Sequence, residues 1–107
     1  MFFHATTVAA VSTSNSPIPV MTKMTKALGF HVPVTVTRPA QVGIYAISAY
    51  YTEHMGGYII ARERLGHWEI IGVGGGVADV PALVRHGVPA STAVELLHRF
   101  RHPTQKA

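Results

Sequence analysis

Residues 56–83, GGYIIARERLGHWEIIGVGGGVADVPAL, decide the fold. Their first part reads as two strands, 56–65 and 67–73, joined by the hairpin signal Leu65-Gly66. Their second part carries four glycines in the five residues 72–76, followed by a helix start at Asp79, a good N-cap, with Pro81 tolerated in the first turn. A strand, a glycine turn and a helix N-terminus together could cradle a pyrophosphate. The spacing refuses it. Read from Gly72, the G-x-G-x-x-G template needs a third glycine where Val77 stands, and read from Gly74 it needs one at Asp79. No lysine lies between Lys26 and Lys106 to complete a G-x-x-x-x-G-K loop. Two readings of the glycines remain: a strand end with an αL turn before a helix, or a bare surface that lets another chain segment or a ligand approach closely.

Upstream, HVPVTVTR at 31–38 alternates Val32, Val34 and Val36 with Pro33, Thr35 and Thr37, which suits a half-exposed edge strand. A turn is expected over 39–41, and 42–53, VGIYAISAYYTE, reads as the second strand. Downstream, ALVRHG ends at Gly87, and a last helix runs from near Pro89 to Pro103 with Val94, Leu97 and Phe100 on one apolar stripe. The expected architecture is α+β: a four-stranded antiparallel β-meander over about residues 32–73 followed by two C-terminal helices. Residues 1–20 read as a leader outside the core, because the two prolines of SPIPV disfavour a helix. A short helix then fits MTKMTKALGF and stops near Gly29. The domain therefore spans residues 21–107.

Composition narrows the function classes. At 107 residues the chain holds one domain. With 48% hydrophobic and 13% charged residues, it belongs with folded chains. It has no cysteine, which excludes disulfides and thiolate chemistry. The net charge of +4 is spread thinly, and its one cluster, HRFRH at 98–102, fits the cationic last turn of a helix, so nucleic-acid binding is not expected. No apolar run reaches membrane-spanning length. The N-terminus lacks the positive region and the A-x-A-type site of a secretory signal.

In the order Gly56-Gly57, Arg62 and Arg64, Gly66-His67-Trp68, the glycines of 72–76, and Gly87-Val88-Pro89, the chain resembles copper uptake system-associated proteins, a family of small secreted bacterial proteins. The resemblance covers roughly residues 30–98. It implies an association with copper handling, a protein partner in copper transport and a periplasmic or secreted address, but no defined reaction. The chain departs from the family in having only Val73 and glycines where members often carry Cys and Asp, so a thiolate metal role is lost.

Seven histidines and four methionines are themselves copper-compatible, since imidazole and thioether are both copper ligands. If the first two strands turn near 39–41, His31, Glu53, His54 and Met55 share one end of the sheet with Gly56, Gly57, Gly74, Gly75 and Gly76. His67 falls at the other end, about eight residues or roughly 26 Å away. His31, His54 and Met55 are thus the candidate metal ligands, and Glu53 with the five glycines forms a candidate binding rim. His86, His98 and His102 read as dipole partners near helix ends. The five acids are isolated in sequence and suggest no catalytic pair. The reading that follows is a non-enzymatic accessory or binding protein, with copper as the candidate cofactor. The alternative is a structural or protein-interaction domain with no metal role.

Overall fold

The Leu65-Gly66 turn sets the sheet. Both residues adopt left-handed backbone, φ 53° and 81°, as a tight two-residue hairpin between twisted strands requires. A computed structural model describes residues 16–102. In chain order they form helix α1 (Ile18–Ala27), strands β1 (Thr35–Val36), β2 (Ala40–Val42), β3 (Tyr45–Tyr51), β4 (Gly56–Arg64) and β5 (His67–Gly75), and helices α2 (Val80–Arg85) and α3 (Ala90–Arg101). The fold is α+β. Its antiparallel sheet has five strands in the order β1-β3-β4-β5, and β2 also pairs with β3.

The fifth strand comes from the edge. The expected turn over 39–41 is absent, and Ala40–Val42 is paired instead, with the reversal falling at Gly43-Ile44 between Val42 and Tyr45. Gly43 takes φ 58° there. Pro39, read as a turn residue, interrupts the edge because it has no N–H to give to a ladder. Val36 pairs with Tyr50 but Ala40 pairs with Ile47, so the edge chain gains one residue across the break. Thr37 and Ser48 close the gap with side chains. The Ala49 N–H donates to Thr37 Oγ1 at 3.0 Å, and the buried Ser48 hydroxyl donates to the Thr37 carbonyl at 2.6 Å.

Both faces of the sheet are covered. On one face Ile47, Tyr58 and Ile60 pack with Leu83, Val88, Ala93, Leu96 and Leu97 of the α2–α3 layer. On the other, Ala46, Tyr50, Ile59, Ala61 and Trp68 pack with Met21 of α1. Strand alternation assigns each residue to its face, and the Ile60/Ala61 irregularity in the β4–β5 ladder leaves Ile71 as an extra residue. Trp68 is therefore buried, at 7% exposure, against the α1 layer and not the C-terminal helices.

The helix ends follow the sequence signals with one reversal. Asp79 caps α2 by accepting the Ala82 N–H at 2.9 Å. After α2, Gly87 at φ 103° donates to the Val84 carbonyl and Val88 to that of Leu83, while the Val88 and Leu83 side chains meet in the core. The reversal is α1, which begins at Ile18 inside the expected leader, and whose Val20 packs at the edge of the core. Pro17 occupies the N-cap and Pro19 the first turn, where the missing N–H has no intrahelical partner to lose. The remainder of the expected leader, residues 1–15, and residues 103–107 lie outside the described residues.

Candidate functional site

The glycines meet at one end of the sheet. Gly57 pairs with Gly75, Tyr58 with Gly74, Tyr51 with Gly56, and the Gly76 N–H donates to the Gly56 carbonyl at 2.9 Å. The run is therefore mostly strand, with β5 continuing through Gly75, two residues beyond the expected strand end at Val73. Only Gly76, at φ 75°, makes the left-handed turn toward α2. The others differ in what surrounds them. A Cβ on Gly57 would collide with the Gly74 carbonyl oxygen and lie 2.6 Å from the Tyr50 hydroxyl oxygen. On Gly74 it would strike the Tyr58 ring, and on Gly72 the His86 ring. At Gly75 it would meet nothing within 4 Å. Gly57, Gly72 and Gly74 thus serve close approach, and aromatic rings lie where their side chains would be.

Tyr58, lying against Gly74, is one wall of a cleft. Strand residues Ala49 and Gly57, the turn Gly76-Val77-Ala78, and Leu97, Phe100 and Arg101 of α3 complete a largely apolar space of about 210 Å³. Tyr58, Ala78 and Leu97 are buried, whereas Val77 is 85% exposed. Arg101 stands at the edge, where its Nη2 donates to the Ala78 carbonyl at 3.0 Å. None of the carboxylates ion-paired among the described residues is paired with Arg101: those pairs are Glu53–His54, Arg62–Glu69 and Glu95–Arg99. A second cleft of about 250 Å³ lies on the other face, between Thr22, Thr25 and Lys26 of α1 and the segment carrying Phe30, Val32, Val34 and Val36.

The sequence-predicted residues divide between these features. Gly56, Gly57, Gly74, Gly75 and Gly76 come together as inferred, and Gly57 and Gly76 line the first cleft. His31 lies in a bend before β1, and the Thr35–Tyr51 pairing directs that segment to the same end of the sheet. Glu53, His54 and Met55 occupy the exposed β3–β4 connection, where His54 Nε2 lies 3.4 Å from Glu53 Oε1. Among the described residues no group of three or more His, Cys, Asp or Glu side chains is placed to hold a metal ion. His67 sits at the opposite hairpin, paired with Arg64. Sequence reasoning missed Tyr58, Ala78 and Arg101 as cleft residues. The available signal was Tyr58 standing on the strand next to the glycine run, an aromatic opposite a position without a side chain.

Among the described residues no helix is long and apolar enough to cross a membrane. No family model, curated protein or solved structure matches the chain.

Proposed function

We propose that the chain is a non-enzymatic binding module whose ligand site is the glycine-lined cleft between the sheet end and α3. The observation that carries this reading is the convergence on one apolar space of two glycines, a buried tyrosine ring and the last turns of α3. Bare backbone at Gly76, where an added Cβ would meet nothing within 4 Å, leaves the cleft open, and the absence of a side chain on Gly74 lets the Tyr58 ring lie against that strand as the cleft wall. The volume is below the ~300–1,000 Å³ of drug-sized sites, so the ligand is small.

The test is a titration with benzyl alcohol, a neutral aromatic probe, followed by amide shifts in two-dimensional NMR. Shifts centred on Gly57, Gly76 and Ala78, lost in an Ala78→Leu variant that fills the cleft while keeping its urea midpoint, support the reading. Shifts spread over the surface, or unchanged in the filled variant, refute it.

A copper-associated accessory role with a partner in copper transport is the second reading. It is supported by the family resemblance, by the adjacent exposed His54 and Met55, and by the His98 and His102 rings, whose centroids are 4.9 Å apart on the last turn of α3. Calorimetry with Cu(I) under anaerobic, reducing conditions tests it. No binding to the parent, or equal affinity in the His54→Ala, Met55→Ala double variant and a His98→Ala variant, removes it.

A further inference from the structure

Among the described residues that line the cleft one is charged, and its surroundings suggest what it serves. Arg101 donates through Nη2 to the Ala78 carbonyl, which fixes the guanidinium beside the apolar space. A guanidinium carries five N–H donors in a rigid fork, so this one bond leaves most of them to be satisfied by water or a ligand. The neighbouring cation of α3, Arg99, is committed differently: it pairs with Glu95 at 3.2 Å and donates to the Gln41 carbonyl at 2.9 Å. No carboxylate plays the part of Glu95 for Arg101 among the ion pairs of the described residues. The carbonyl bond orients the fork without neutralising it.

From this juxtaposition we propose that the cleft takes a small apolar carboxylate, its hydrocarbon or aromatic body against Tyr58, Leu97 and Phe100 and its carboxylate on Arg101. The proposal rests on the cleft being the binding site. Guanidinium and carboxylate are matched in planarity and spacing, and a charge-assisted bond at the margin of an apolar space is stronger than one in open water. At a share of about 30 Å³ per water in the liquid, 210 Å³ holds about seven waters, or a body the size of a phenyl group with a short chain. The α1 cleft is larger, but its cation, Lys26, has no hydrogen bond or ion pair to hold it in place among the described residues. It offers a mobile point charge where the first cleft offers an oriented fork.

The test compares 3-phenylpropanoate with 3-phenylpropanamide, which have nearly the same shape and differ in charge. Affinities are read by NMR titration in the parent and in Arg101→Gln, Lys26→Gln and Ala78→Leu variants, each first shown to unfold cooperatively. The parent is expected to prefer the acid by about tenfold, the usual gain from a charge-assisted bond. In Arg101→Gln that preference falls to about one, because the acid weakens and the amide does not. Lys26→Gln, which removes the same charge from the other face, leaves the preference unchanged, so the net positive charge is not its source. Equal affinity for acid and amide in the parent, or a preference that survives Arg101→Gln, overturns the carboxylate assignment while the cleft reading stands. If neither probe binds the parent, or both bind Ala78→Leu as well as the parent, the cleft reading falls and the assignment with it.

Discussion

Gly57 and Gly75 face each other across the β4–β5 ladder, yet alanine should have opposite effects at the two positions. At Gly57 the new methyl group meets the Gly74 backbone carbonyl on one side and the Tyr50 ring on the other. Tyr50 is 8% exposed and packed in the α1-side core, so neither obstacle yields without moving the ladder or repacking that core. Forced overpacking of this kind costs about 1–3 kcal/mol, and a backbone obstacle places Gly57→Ala toward the upper end. At Gly75 the methyl group enters open space and the backbone is not left-handed. There the reduced freedom of the unfolded chain should stabilise by about 0.4–1 kcal/mol. The two variants should therefore differ by about 1.5–4 kcal/mol, or on the order of 10 °C in melting temperature for a domain of this size. Urea unfolding followed by the fluorescence of Trp68, the chain's single tryptophan, measures both midpoints. Equal effects of the two substitutions would show that these glycines serve flexibility and not close approach.

Three further substitutions probe other parts of the fold. Trp68→Ala should cost about 3–5 kcal/mol, a large part of the stability of a small domain, and should loosen α1 while α2 and α3 stay protected in hydrogen exchange. Greater loss of protection in α3 than in α1 would put Trp68 on the wrong face. Leu65, 88% exposed and held at φ 53°, should be improved by asparagine, which tolerates that backbone, so Leu65→Asn should raise the urea midpoint by about 1 kcal/mol of stability. An unchanged or lower midpoint would contradict the strain at that turn. Asp79→Ala should cost about 0.5–2 kcal/mol through loss of the cap on the Ala82 N–H, with Asp79→Asn restoring most of it in thermal melts. No rescue by asparagine would mean that the cap is not the source of the loss.

The features legible in the sequence are those fixed by local chemistry. The Leu65-Gly66 hairpin, the Asp79 cap and the Gly87 helix end each depend on one or two residues with a special backbone or a capping side chain, and each stands where expected. What failed depends on where a residue falls within its element or on partners distant in sequence. Pro17 and Pro19 start a helix although prolines disfavour one, because a proline is harmful inside a helix and harmless in its first turn, and position along the helix decides which. Pro39 marked a break in an edge strand, while the true reversal used Gly43 four residues later. Alternation along β5 marks Trp68 for burial, but in a sheet covered on both faces it does not say which layer a residue meets. The glycine rim was legible from strand register. The cleft beside it was not, since it needs α3 to cross the sheet end and bring Leu97, Phe100 and Arg101 there.

The glycine-lined space between the sheet end and α3 is the proposed ligand site. A crystal structure of the parent soaked with 3-phenylpropanoate tests it most directly, compared with Ala78→Leu crystals treated in the same way. The phenyl ring should lie against Tyr58 and Phe100 in the parent, with the carboxylate on Arg101, and the cleft of the variant should be empty. A probe seated under α1 beside Lys26, or bound in the filled variant as in the parent, would contradict it.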